Sequence, residues 1–514
     1  MSTSRMPAHS GGAVHSHHGN YTEIALWFPW RVPSALSYWQ GLAGVWKDLI
    51  AWLARRLPTE RQRMLALTIF AGGLCGLAAV AFHLAIAWLE KLLIEPANHA
   101  PGYWWIVLTI VSPALGGLIV GLGLAYWAPG AAGSGIPQVK AAFALRSGYI
   151  SLRDTIGKFV LCSFQIGSGA SLGLEGPTVQ ICAGVSSLLA RGARLSPQYR
   201  RRMASVGMAA GIAAAFNAPI ASITFTLEEL IGDLDQTMLS GVIVAAALAA
   251  VVENRVLGNH PIFHVSKPYT FQNASSLLWY ALLGVLAAIV SVTFTDSLLW
   301  LRARFRAITQ VPRWVHPAIG GAGTGLLAAI GLYFFHYNGI AGDPYQTLTL
   351  ALTGTLPVLM MVCYCVMKLA ATVLSYSSGG SGGIFAPSLF MGGMLGGAVG
   401  WIDVTVFHHS QDAIGAFAVV GMGAVFAGIV RAPMTSILIV FEMTGGYGLV
   451  LPLMIANISA FALARHWRHT AVYEALLEQD GITLPHGNHT LEPQPPMTLP
   501  AEESPSQVSG DPTV

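Results

Sequence analysis

The sequence predicts an all-α polytopic membrane protein assembled from two related halves, and three observations carry that prediction. Of 514 residues, 54% are hydrophobic and only 10% are charged, whereas soluble domains carry roughly 25% charged residues. Predominantly apolar stretches such as 64–94, 104–127, 277–300 and 356–376 reach or exceed the ~20 residues a helix needs to cross a hydrocarbon core. Finally, the chain repeats itself. Val206-Gly207-Met208, Ala218-Pro219, Ser222-Ile223 and Glu228 recur as Val420-Gly421-Met422, Ala432-Pro433, Ser436-Ile437 and Glu442, a constant offset of 214 residues. Ser168-Gly169, Ser171, Gly173 and Pro177 recur as Ser378-Gly379, Ser381, Gly383 and Pro387, an offset of 210.

Taken in order, residues 1–41 read as a disordered polar tail. They lack the apolar run of a secretory signal, and His15, His17 and His18 belong to that tail rather than to a metal site. Residues 42–63 mix Trp46, Ile50 and Trp52 with Lys47, Arg55 and Arg56, the pattern of an amphipathic interfacial helix. The first transmembrane half then spans 64–255, a connection 256–275, and the second half 276–467. Residues 468–514, rich in Pro, Glu and Ser towards the end, read as a polar and mostly disordered tail.

Arg55, Arg56, Arg61 and Arg63, then Arg191, Arg194, Arg200, Arg201 and Arg202, then Arg465 and Arg468, mark cytoplasmic loops by the positive-inside rule. Both termini are therefore expected in the cytoplasm. A net charge of +3 gives no case for a nucleic-acid partner. Cys75, Cys162, Cys182, Cys363 and Cys365 all fall in apolar stretches and read as small buried hydrophobes. No metal and no cofactor is expected.

The most informative residue is Glu175, in Gly173-Leu174-Glu175-Gly176-Pro177. A charge at bilayer depth is costly and marks a functional site by default. The flanking glycines and proline predict a broken helix, tolerated in a membrane only inside protein or beside a cavity. Two further breaks, Gly133-Ser134-Gly135-Ile136-Pro137 and residues 377–387, each precede a helix-compatible run. Each offers unpaired N–H groups at a positive dipole end. Several such ends meeting at mid-membrane, with the Ser134 hydroxyl, would make an anion site. Paired halves with breaks in corresponding positions are a transporter signature.

These three breaks, in this order and spacing, resemble those of the CLC chloride channels and proton-coupled chloride antiporters, over roughly residues 64–467. The resemblance implies an inverted-repeat, CLC-type fold of many tilted and half-membrane helices. It also implies a homodimer with one pathway per subunit in a lipid membrane, here a bacterial inner membrane. It implies no enzymatic activity, but exchange of chloride for protons or, alternatively, a passive or voltage-dependent chloride channel. By the same resemblance Ser134 and Gly135 bind the anion, with N–H groups from Ile384 and Phe385. Tyr447 closes the inner side, Glu175 is the gate and Glu229 is the internal proton-transfer acid. Glu228 is the other carboxylate available for that task, but its alignment with Glu442 points to a repeated structural role.

The chain departs from the family pattern at Leu174, where a basic residue is common, and at Gln138, where a glutamate is frequent. Paired cytoplasmic nucleotide-binding modules are not expected. Lys158, in the span before the Glu175 break, is either a replacement charge near the gate or a structural lysine. Lys368 has no partner legible in the sequence. His83 reads as a core histidine. A membrane serine nucleophile at Ser381, with His83 or His336 as base, is a competing reading, and the alignment of Ser381 with Ser171 counts against it.

Overall fold

Proline and small residues start many of the helices, and left-handed residues end several. The computed structural model describes residues 59–98, 100–231, 236–258, 276–342 and 344–484. The expected N-terminal tail, most of the expected interfacial helix, most of the inter-half connection and the chain beyond residue 484 lie outside the described residues. In the first half, helix α1 is Glu60–Asn98, α2 Trp104–Tyr126, α3 Ile136–Leu145, α4 Leu152–Gly167, α5 Glu175–Gly192, α6 Pro197–Phe216, α7 Pro219–Thr226 and α8 Gln236–Leu257. A single wider π-type turn, Leu227–Ile231, extends α7. In the second half, α9 is Ser276–Ala307, α10 His316–Phe335, α11 Tyr345–Leu352, α12 Val358–Ser377, α13 Phe385–Phe407, α14 Asp412–Val430, α15 Pro433–Thr444, α16 Val450–Trp467 and α17 Val472–Gln479.

Nine helical stretches among the described residues are long and apolar enough to cross a membrane. Others are far too short: α3 has 10 residues, α7 and α11 have 8 each, and α15 has 12. At 1.5 Å per residue these are about 12–18 Å long, well short of a ~30 Å core. The one β-like pairing among the described residues is two isolated bridges, Gly133 with Ser381 and Gly173 with Gly383, and both lie at helix breaks.

The repeat is physical. Helices α6 and α14 both end on a left-handed residue, Asn217 at φ 49° and Arg431 at φ 71°, and each is followed by an Ala-Pro that starts the next helix. Glu228 accepts from the N–H groups of Met434 and Thr435 at 3.1 and 2.8 Å. Glu442 accepts from those of Ile220 and Ala221 at 3.0 and 2.7 Å. Each carboxylate thus caps the helix that carries the other, a mutual relation that an internal two-fold axis generates. Helices α2 and α10 repeat the theme. A Cβ on Gly117 would meet the Pro317 carbonyl at 2.2 Å, and one on Gly321 would meet that of Pro113 at 2.1 Å. Small residues here let the two backbones touch, the usual device of membrane helices. Helix α14 is the centre of the second half, buried without interruption from Ile414 to Val430.

Three expectations need correcting. Residues 60–63, assigned to an interfacial helix, are the first turn of α1. The polar tail does not begin at residue 468, because α17 buries Val472, Tyr473, Leu476 and Leu477 against the helical body. Its apolar residues fall at i, i+1, i+4 and i+5, one stripe of a helix, which the surrounding Glu, Gln and Asp obscure. Cys363 is partly exposed, while the other four cysteines are buried and free.

Candidate functional site

The three glycine-rich breaks meet. Gly173 and Gly383 exchange both backbone hydrogen bonds, at 2.8 and 2.7 Å. The N–H of Gly133 donates to Gly380 at 2.9 Å, and that of Gly382 donates back to Gly133 at 3.1 Å. Gly135 adopts φ +105°, a conformation open to glycine. A Cβ on Gly176 would lie 2.6 Å from Ser134 Oγ, so the absence of a side chain there lets the α3 and α5 starts approach. Helices α3, α5 and α13 all begin here, bringing three positive dipole ends together.

Glu175 is the first residue of α5 and is fully buried. Its Oε1 accepts from the Tyr345 hydroxyl at 2.8 Å, and its Oε2 from the N–H of Ala386 at 3.3 Å. The carboxylate therefore sits on the N-terminus of α13, as an anion would. It borders a small cavity of about 60 Å³ that His83, Leu174, Pro344 and Tyr345 also line. Tyr345 was not found from sequence, because it lies 170 residues from Glu175 in a segment without a motif.

Ser134 is fully buried, and its hydroxyl oxygen has no hydrogen-bond partner among the described residues. The same is true of the Tyr473 hydroxyl, which lies within side-chain reach of Ser134. Two buried hydroxyls side by side offer two O–H donors that can point at one anion. The N–H of Ser134 itself donates to the Tyr376 hydroxyl at 3.3 Å. Among the described residues no hydrogen bond engages the N–H of Ile384 or Phe385, next to the Ala386 that holds Glu175. The Phe385 ring is fixed by Phe216, Phe225 and Phe426.

Two expected ligands are displaced. Tyr447 is 78% exposed and stacks edge-on against Phe441, so it is not the tyrosine at Ser134. Tyr473 takes that place, carried by the short helix α17 that polar flanks conceal. The Gly135 N–H is not free for an anion, because Gln138 Oε1 accepts it at 2.8 Å while Gln138 Nε2 donates to Ala132 at 2.8 Å. The amide at position 138 thus closes the first turn of α3 on itself.

On another side, the Gly133 loop borders a cavity of about 690 Å³ lined by Pro137, Tyr376, Arg302, Arg306, Arg313 and Asp480, among others. Glu228 and Glu229 both lie on the π-type turn. Glu228 is consumed by capping α15, as described above. Glu229 is instead ion-paired to Lys140 at 2.7 Å, with side chains only 6% and 9% exposed.

A family model described as "Voltage gated chloride channel" matches residues 116–465. The chain belongs to this family, the CLC proteins. It is 33% identical over 439 residues to the "H(+)/Cl(-) exchange transporter ClcA" of Salmonella arizonae, covering 83% of this chain and 91% of that one. It is 32% identical over 435 residues to the protein of the same name from Salmonella typhimurium, covering 82% and 90%. Among solved structures, the fold resembles that of a slow cyanobacterial Cl-/H+ antiporter, with a TM-score of 0.74 at 24% identity over 81% of this chain and 98% of that one. It also resembles a eukaryotic CLC transporter, with a TM-score of 0.68 at 23% identity over 81% and 74%.

In this CLC chain two of the buried lysines, Lys158 and Lys368, are a repeat pair. Lys158 donates to the carbonyls of Ala131 and Gly133, and Lys368, 210 residues on, donates to that of Ile340 at 3.0 Å and faces the Phe390 ring. Lys158 therefore pins the loop that presents Ser134. Ser381, aligned with Ser171, donates to Ala131 at 2.7 Å and helps hold the same loop.

Proposed function

We propose that this membrane protein is a secondary active transporter that exchanges chloride for protons, with Glu175 as its gate. The observation that carries the reading is the seat of the Glu175 carboxylate on the α13 N-terminus, at the N–H of Ala386 and beside the Tyr345 hydroxyl. When ionised, the carboxylate competes with chloride for those donors and closes the path. When protonated, it loses its attraction to them and swings aside. Chloride raises the proton affinity of the gate by like-charge repulsion, so movement of one ion is linked to movement of the other.

Ser134, Tyr473 and the N–H groups of Ile384 and Phe385 hold the anion on the inner side of Glu175. Glu229 supplies the second acid that relays the proton. The names of the Salmonella relatives support chloride and protons as the transported pair. Their source supports a bacterial inner membrane. The positive-inside rule puts the arginine-rich cavity and both termini in the cytoplasm, and the family resemblance supports a homodimer with one pathway per subunit. The chemistry calls for no cofactor.

The ion pair at Glu229 is the observation that favours a second reading, a chloride channel of the same fold, because a carboxylate engaged by Lys140 at 2.7 Å is less free to relay a proton. Purified protein in liposomes separates the two. A chloride gradient that drives protons uphill establishes exchange, and chloride flux with no proton movement makes the protein a channel.

A further inference from the structure

Glu229 does not reach solvent alone. The Lys140 ammonium bonds Glu229 Oε1 at 2.7 Å and Glu474 Oε1 at 3.5 Å. The three side chains step outward, from 6% exposed at Glu229 and 9% at Lys140 to 43% at Glu474. They line one open cavity of about 230 Å³ together with Glu228, Glu478 and Phe143. The charged and titratable groups around Glu229 among the described residues are therefore Lys140 from α3, Glu474 and the Tyr473 phenol from α17, Glu228 on its own turn, and Glu478 at the cavity wall. Glu228 is committed to Met434 and Thr435, which leaves Glu474 as the carboxylate that shares an ammonium with Glu229 and also meets water.

The placement also links the two ion sites. Helix α3 starts just after Ser134 and carries Lys140. Helix α17 carries Tyr473 and Glu474 as neighbours. Each of two short helices thus brings one group to the anion site and one to the carboxylate cluster. The buried Lys140–Glu229 ion pair is costly to assemble from desolvated charges and is weak evidence for stability. Its retention beside a proton acceptor fits a functional task better.

Building on the reading of Glu229 as the internal acid, we infer that Glu474 and Lys140 form its proton port. Glu474 takes a proton from water in the cavity and passes it to Glu229, returning to its ionised form. Lys140 is a positioning residue: its ammonium bonds both carboxylates, at 2.7 Å to Glu229 and 3.5 Å to Glu474, and so holds donor and acceptor together.

The test is paired chloride and proton flux from liposomes containing the full-length protein, measured across a series of pH values, for wild type, Lys140→Met, Lys140→Arg and Glu474→Gln. Removing the positive charge lets Glu229 hold a proton more tightly, so Lys140→Met shifts the pH midpoint of proton flux upward by about one unit and lowers the proton-to-chloride ratio. Lys140→Arg restores the wild-type profile. Glu474→Gln, at a half-exposed position, lowers the ratio several-fold. A purely structural ion pair would lower the yield or thermal stability of Lys140→Met while leaving the midpoint and the ratio unchanged, and that result overturns the port. If Lys140→Met does not fold, an unchanged ratio in Glu474→Gln overturns it alone. A wild type that moves no protons overturns the reading of Glu229 itself, which distinguishes the two failures.

Discussion

Tyr345 donates its hydroxyl hydrogen to Glu175 Oε1 at 2.8 Å, from a half-length helix that no motif marks. A hydrogen bond to a charged group contributes about 1.5–3 kcal/mol, and it favours the ionised, seated carboxylate. Tyr345→Phe should therefore raise the proton affinity of the gate, moving the pH dependence of chloride flux upward by about one unit, since one unit corresponds to ~1.4 kcal/mol. Initial chloride efflux between pH 4 and 8, compared with wild type, reads this directly.

Glu175→Gln removes both the charge and the titration. The variant should carry chloride at all pH values and move no protons. A chloride electrode and a pH electrode in the same vessel report both at once.

Glu228 and Glu229 are adjacent and should fail differently. Glu229→Gln is expected to end proton movement while chloride still flows. Glu228→Gln weakens the cap on α15, an effect of about 1–2 kcal/mol for a helix start, and should lower the thermal unfolding temperature in detergent with coupling retained. Glu442→Gln, the repeat partner, should show the same loss of stability.

Tyr473→Ala should weaken chloride binding, measured by isothermal titration, whereas Tyr447→Ala, at a position 78% exposed, should bind as wild type. The reverse result would return the inner side of the site to Tyr447.

Asp480 ties the end of α17 to Arg302 and Arg306. Burial alone would raise its carboxyl, but hydrogen bonds and charge from the two arginines outweigh that and hold it below the usual carboxylate range. A carboxylate depressed in this way stabilises the fold above its unfolded value, near 3.9, and loses that contribution as pH falls through the folded value. The tether should hold through neutral and mildly acid solution and release only below about pH 4. Hydrogen exchange over residues 472–480 would follow this, and Asp480→Asn should show the loosened state already at pH 7.

The features legible in the sequence were those encoded by local chemistry. Glu175, Ser134 and the Gly383 break stood out because charge, glycine and proline are rare together in apolar sequence. The self-match at Glu228 and Glu442 foretold a shared task, and the structure gives that task as reciprocal capping. The features that escaped depend on distance in the chain. Tyr345 reaches Glu175 across 170 residues, and Lys140 reaches Glu474 across 334. Tyr473 sits where polar neighbours hide an apolar stripe. Gly135 looked like a donor because sequence does not reveal that Gln138 folds back onto its N–H.

The central claim is that a carboxylate seated on a helix end links chloride to protons. The most direct measurement is uphill proton movement driven by a chloride gradient in liposomes holding the purified wild-type protein. Proton movement against its gradient, lost in Glu175→Gln while chloride still passes, is the predicted result. Chloride flux with no accompanying protons in the wild type would contradict it.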